Sequence, residues 1–175
     1  MPSCRQIEVS IRSLLQAFAL IMLVVCIPQG TAHATCVGLG CYCTISTDPL
    51  DFGTYNPLGG TDISATGSLD VECGALLTGV AFSYTVTLDS GPSGTMLNRS
   101  MKSGPNTLNY NLYTNPSHTT VWGDGTGGTG TISNAYTLTL LFPRTDNFPV
   151  YGRIPSGQNA HAGSYTDTII ATVIF

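Results

Sequence analysis

The sequence predicts an all-β sandwich or barrel, on three observations. Apolar residues alternate at period two through most of the chain, turn signals recur about every 8–12 residues, and no long stretch carries a helical stripe. Thr44 to Thr54 reads as extended, and Asp51 is placed to hydrogen-bond a turn within Asp51-Phe52-Gly53-Thr54-Tyr55. Asn56-Pro57-Leu58-Gly59-Gly60 is the turn that follows. Ile63 to Cys73 then places Ile63, Ala65, Leu69, Val71 and Cys73 on one side. Val80, Phe82, Tyr84, Val86 and Leu88 share the next face, which Ser90-Gly91-Pro92-Ser93-Gly94 ends. Leu108, Tyr110 and Leu112 mark another strand, and Trp122 to Gly130 is a loop rich in glycine and threonine. Tyr136, Leu138, Leu140 and Phe142 form a further face. Val150 and Ile154 flank a short piece ending at Pro155, and Tyr165 to Phe175 is the last strand.

Residues 1–34 read as a secretory signal peptide. Arg5 and Arg12 precede an apolar run from Leu14 to Ile27, and Ala32-His33-Ala34 is a small-residue cleavage signature. The run is shorter than the ~20 residues of a membrane span, so cleavage after Ala34 is expected rather than an anchor. Residues 35–175 then form one exported domain, and no other stretch is apolar enough to cross a bilayer. Only 9% of residues are charged, against about 25% in a typical soluble protein, which excludes charge-rich disorder. The net charge of −4 leaves no basic patch for a phosphate backbone, so nucleic acid is not an expected partner. Cys36, Cys41, Cys43 and Cys73 remain after cleavage. In an exported chain they predict two disulfides, in any of three pairings. Zinc held through Cys41-x-Cys43 is the lesser alternative, since no second closely spaced pair exists.

The last predicted strand carries apolar residues on both faces. Ile169, Ala171, Val173 and Phe175 lie on one side, Ile170 and Ile174 on the other. Such a strand belongs inside a sheet, yet no turn or further strand follows Phe175 in the sequence. On periodicity alone its neighbours come from earlier in the chain; the alternative is one open side.

Several segments then occur in order: Cys43-Thr44-Ile45-Ser46, Leu50-Asp51-Phe52-Gly53-Thr54-Tyr55, Leu69-Asp70-Val71-Glu72-Cys73, Leu108-Asn109-Tyr110-Asn111-Leu112-Tyr113, Trp122-Gly123-Asp124-Gly125, Tyr151-Gly152-Arg153-Ile154-Pro155 and Gly163-Ser164-Tyr165-Thr166-Asp167-Thr168. The set resembles the spore coat protein U domain, which includes archaic (Csu-type) chaperone–usher pilins, from about Cys43 to Phe175. The resemblance implies an incomplete immunoglobulin-like β-sandwich that lacks its final strand and is completed in trans. It implies a periplasmic chaperone, an outer-membrane usher and other pilus or coat subunits as partners, and exposure at the cell surface, in a pilus or in a spore coat. It also implies a Cys43–Cys73 disulfide, leaving Cys36 with Cys41, and a chaperone anchored at the Phe175 carboxylate. The acceptor groove is expected from Ile169, Ala171, Val173 and Phe175, with Phe52 and Val86 as floor. A donor segment needs roughly ten residues with alternating apolar side chains. Thr35 to Tyr42 offers Val37 and Leu39, which suits a subunit that accepts a strand and donates poorly.

No catalytic, cofactor or metal site is expected. Gly125-x-Gly127-x-x-Gly130 matches a dinucleotide fingerprint in letters, but the residues after it read as strand where the motif requires a helix. His118 and His161 lie in no nucleophile motif, and Asp48, Asp51, Asp70 and Glu72 read as solvated turn and strand positions. Arg153 and Asp167 are candidates for a buried pair, the alternative being surface roles. The rival function is a self-contained binding module or tip adhesin that recognises carbohydrate or a surface through Trp122, Tyr113 and the Gly125–Gly130 loop.

Overall fold

The computed structural model describes residues 40–76, 79–139 and 142–175. The segment read as a signal peptide, and Cys36, lie outside the described residues. The strands are β1 (Tyr42–Asp48), β2 (Ile63–Gly74), β3 (Val80–Leu88), β4 (Arg99–Ser103), β5 (Asn106–Tyr113), β6 (Ile132–Leu138), β7 (Arg144–Ile154) and β8 (Ala171–Ile174). They pair antiparallel into two sheets, one ordered β1-β2-β7-β5-β4 and one ordered β6-β3-β8.

Alternation decides what each strand buries. Leu69, Val71 and Cys73 of β2, Phe82, Tyr84, Val86 and Leu88 of β3, and Leu108, Tyr110 and Leu112 of β5 all turn inward. With Trp122, Leu138 and Ile154 they form one core between the sheets, where burial of apolar area drives folding. The expected turns are present: Gly53 N–H donates to Asp51 Oδ1, and Leu58 N–H donates to Asn56 Oδ1.

Four elements differ from the sequence reading. The extended stretch from Thr44 is a strand only to Asp48. β4 has no counterpart among the expected strands, because Arg99-Ser100-Met101-Lys102-Ser103 carries a single large apolar side chain. β7 is eleven residues long rather than a short piece. Pro149 disguises it, yet β5 pairs with β7 only at Tyr151 to Arg153. Pro149 therefore has no β5 partner, which is where a residue without an N–H is tolerated. The final strand shrinks from Tyr165–Phe175 to Ala171–Ile174. Thr166 bridges Lys102 on the β4 edge, whereas Ala171 pairs with Leu88 on β3. The chain changes sheets in between, so one continuous strand cannot serve both.

Arg153 and Asp167 do not meet. Arg153 donates from Nε to Asp62 Oδ2 at 2.7 Å, and Ser156 N–H donates to Asp62 Oδ1 at 2.8 Å. Asp167 Oδ2 accepts the Tyr110 hydroxyl instead. The Ser156 amide, the Ser156 side chain and then Arg153 hold the Asp62 carboxyl below its ordinary value. A lowered carboxyl contributes stability above its unfolded value and loses it as pH falls through the folded one.

Cys43 and Cys73 stand opposite in the β1–β2 register and are joined, with S–S 2.08 Å and a sequence separation of 30. Cys41 is also disulfide-bonded. Removing the β1–β2 bridge in a Cys43→Ala/Cys73→Ala pair is expected to cost about 3–4 kcal/mol for a loop of this length, read by urea unfolding. Asp62→Asn is expected to lower stability at neutral pH and to flatten its decline below about pH 4, read as unfolding midpoints across acid pH. An unchanged acid limb would remove Asp62 from that role.

Candidate functional site

Strand β8 is short and alternates cleanly. Ala171 and Val173 are half-buried, while Thr172 and Ile174 face out. It pairs with β3 through Leu88↔Ala171, Thr87↔Thr172, Val86↔Val173 and Thr85↔Ile174. Among the described residues no strand lies on its other side. In the facing sheet, β1 is likewise outermost and lies against β8 across the sandwich. Half-buried Cys43 and Ile45 point inward from β1. Among the described residues two edges without a further strand thus border one seam, with apolar side chains between them.

The structure brings most of the expected groove residues together. Val86 is fully buried beside its cross-strand partner Val173, and buried Leu88 stands opposite Ala171. The Phe175 ring lies 5.8 Å from that of Phe82, which continues to Tyr84 and Tyr136. Ile169 sits at the base of β8, over Gly91. Phe52 packs elsewhere, edge-on to Tyr110 at 5.8 Å and over Gly152 of β7. A Cβ on Gly152 would come within 2.7 Å of the Phe52 ring, so glycine there is what admits Phe52 between the layers.

The seam carries little charge. β8 itself has no ionisable side chain. Tyr84 donates to Asp146 Oδ2 at 2.6 Å, and burial followed by that bond raises its phenol. Burial also pushes Tyr136 up to about 12. Both rings are therefore neutral hydroxyls at physiological pH. Exposed Ile170 and Ile174 (62% and 50%) leave apolar surface beside the free edge. The arrangement suits backbone pairing along β8 with apolar side chains entering the seam.

Other candidates fall away from it. Trp122 is fully buried, with Nε1 donating to the Val86 carbonyl at 3.1 Å, so it offers no face for stacking a sugar. The Gly125–Gly130 loop leads into β6, not a helix, and Asp124 caps it through Thr126. Tyr113 packs edge-on to His118 at 5.0 Å, and His161 is exposed. Asp70 and Glu72 face solvent near Asn147 and Thr145.

Arg99 and Asp89 were not singled out from the sequence. Arg99 is fully buried and bonded to the Asp89 carbonyl, and Asp89 bonds Ile170 just before β8. The one legible sign is parity: Arg99 shares the inward side of β4 with Met101.

Comparison with known proteins agrees with this architecture. A family model described as Spore Coat Protein U domain matches residues 31–172. "Protein U" of Myxococcus xanthus is 36% identical over 134 residues, covering 72% of this chain and 71% of that protein. Among solved structures, the fold matches a chain of the CsuC–CsuE chaperone–tip adhesion subunit pre-assembly complex from archaic chaperone–usher Csu pili of Acinetobacter baumannii. The TM-score is 0.51 at 24% identity, over 77% of this chain and 40% of that one. That likeness is one of fold, and it places the two-sheet arrangement among immunoglobulin-like sandwiches. The match over residues 31–172 is most of the chain, which belongs to the Spore Coat Protein U domain family.

Proposed function

We propose that this chain is an exported subunit of a bacterial surface fibre or coat that accepts a β-strand from another polypeptide. The observation that carries the proposal is the unpaired edge of β8 beside a seam lined by Val86, Ala171 and Val173. An exposed edge with apolar flanks templates pairing with other chains and is normally covered. An inserted strand would bond along β8 and bury its alternate side chains between β8 and β1. This is the completion in trans that the resemblance implies. Family membership and the fold shared with a chaperone-bound pilus complex support a periplasmic chaperone as first donor. An outer-membrane usher and a further subunit would then exchange it. The segment up to Ala34 would direct export, and the assembled product would lie at the cell surface.

The test is expression with the native leader, alone and with a periplasmic chaperone of the archaic chaperone–usher type. Alone, the chain is expected to aggregate or be degraded; with the chaperone it is expected as a soluble one-to-one complex. Val173→Asp, which sets a carboxylate against the seam, should reduce recovered complex about tenfold or more. A stable, soluble monomer made without any chaperone would overturn the proposal.

A further inference from the structure

Arg99 is fully buried, and its five N–H donors all meet oxygen. Nε and Nη2 donate to the Asp89 carbonyl at 3.0 and 2.5 Å, and Nη2 also to the Trp122 carbonyl at 2.8 Å. Nη1 donates to Asn111 Oδ1 at 2.8 Å and to the Met96 carbonyl at 3.4 Å. No carboxylate oxygen is among these acceptors. Burial depresses the guanidinium pKa, while Tyr110, Asp89 and Asp167 oppose that effect through their charge. One side chain therefore ties together the end of β3, the loop before β4, β5 and the Trp122 loop.

Asp89 passes this hold to β8. Its N–H donates to the Ile170 carbonyl at 3.0 Å, and its Oδ1 accepts the Ile170 N–H at 2.9 Å. The same oxygen accepts the Gly91 N–H at 3.0 Å. Ile170 is thus gripped on both backbone faces, one residue before β8 begins. A second arm runs from the Tyr110 hydroxyl to Asp167 Oδ2 at 2.7 Å. Gly91 (φ 58°) lets the two meet, since a Cβ there would lie 2.7 Å from Ile169 Cδ1 and 3.1 Å from the Thr168 carbonyl.

From these contacts we infer that Arg99 and Asp89 are positioning residues for β8. The guanidinium fixes the Asp89 peptide, Asp89 fixes Ile170, and the four-residue strand is held extended from its base before any partner arrives. The mechanical part stands on the contacts alone; its consequence for binding rests on the strand-acceptance reading. A strand ordered in advance spares the incoming polypeptide the entropy of ordering it. A strand bonded to β3 on one side only would otherwise fray.

Asp89→Ala removes the acceptor for Ile170, and Asp89→Asn keeps an oxygen there. Met101→Ala, on the same buried face of β4, supplies a general loss of core packing. In amide hydrogen exchange, Asp89→Ala is expected to speed exchange within Thr172–Ile174 at least tenfold while Val71 in β2 is unchanged. Asp89→Asn is expected to stay close to wild type, and Met101→Ala to affect both strands alike. Should Asp89→Ala fail to fold, Ile170→Pro deletes the donated N–H and is read in the same way. Protection of β8 unchanged by these variants, or lost in parallel with β2, would overturn the inference. Binding of a synthetic ten-residue peptide of alternating valine and threonine is measured alongside. Asp89→Ala should weaken it about tenfold relative to Met101→Ala, and equal loss in the two would likewise overturn the inference. Failure of wild type to bind the peptide or a chaperone would instead sink the strand-acceptance reading and leave the exchange result to judge the clamp.

Discussion

Backbone N–H and C=O groups on an outermost strand must find partners, in water or in another chain, and β8 is where that demand shapes this molecule. The two sheets are unequal. Among the described residues five strands on one side face three on the other, and β8 is an edge of the smaller sheet. Polar edges elsewhere are easily hydrated. At β8 the backbone runs next to exposed Ile170 and Ile174, so water solvates the peptide groups at the expense of wetting apolar surface.

Both walls of the seam are secured. On the β1 side the Cys43–Cys73 bond joins the outermost strand to its neighbour at residues that already face each other in register. That bond stabilises chiefly by restricting the unfolded chain, and it also stops β1 from peeling away. On the β8 side there is no covalent link. The hold comes from Asp89, which meets both backbone groups of Ile170, and from the guanidinium behind it. Both edges are thus tied back to the strands beside them. Tyrosines that stay neutral at physiological pH line the adjoining core.

Period-two alternation made most of the sandwich legible. Leu69, Val71 and Cys73, or Phe82 through Leu88, have inward parity that no other structure would explain, and their burial follows. What stayed hidden depended on long-range context. β4 is recognisable only once β5 is there to pair with it, and Pro149 reads as a break until its missing β5 partner is known. Trp122 begins a glycine-rich loop, yet it is a core anchor whose indole N–H is spent on the Val86 carbonyl. Tyr165 to Thr168 carries strand-like residues that bridge one sheet before β8 joins the other. Of the residues expected at an acceptor groove, Ala171, Val173 and Val86 share an inward parity that the sequence displays. Phe52, expected as floor with Val86, has its contacts with Tyr110 and Gly152.

A buried cation behind the base of β8 has a physical logic of its own. The carbonyls of Asp89, Met96 and Trp122 belong to loops that close the sandwich, and they point inward where no strand can bond them. Each would be a buried acceptor without a donor, an expensive state. A single planar guanidinium satisfies all three together with Asn111, which four separate hydroxyls or amides would need more volume to do. An apolar residue of the same size would fill the space and leave those carbonyls orphaned. Lysine would bring three donors to a place that uses five. In a chain with only six lysines and arginines, one is committed to joining loops rather than to solubility, and one of the residues it holds, Asp89, bonds Ile170 at the base of β8.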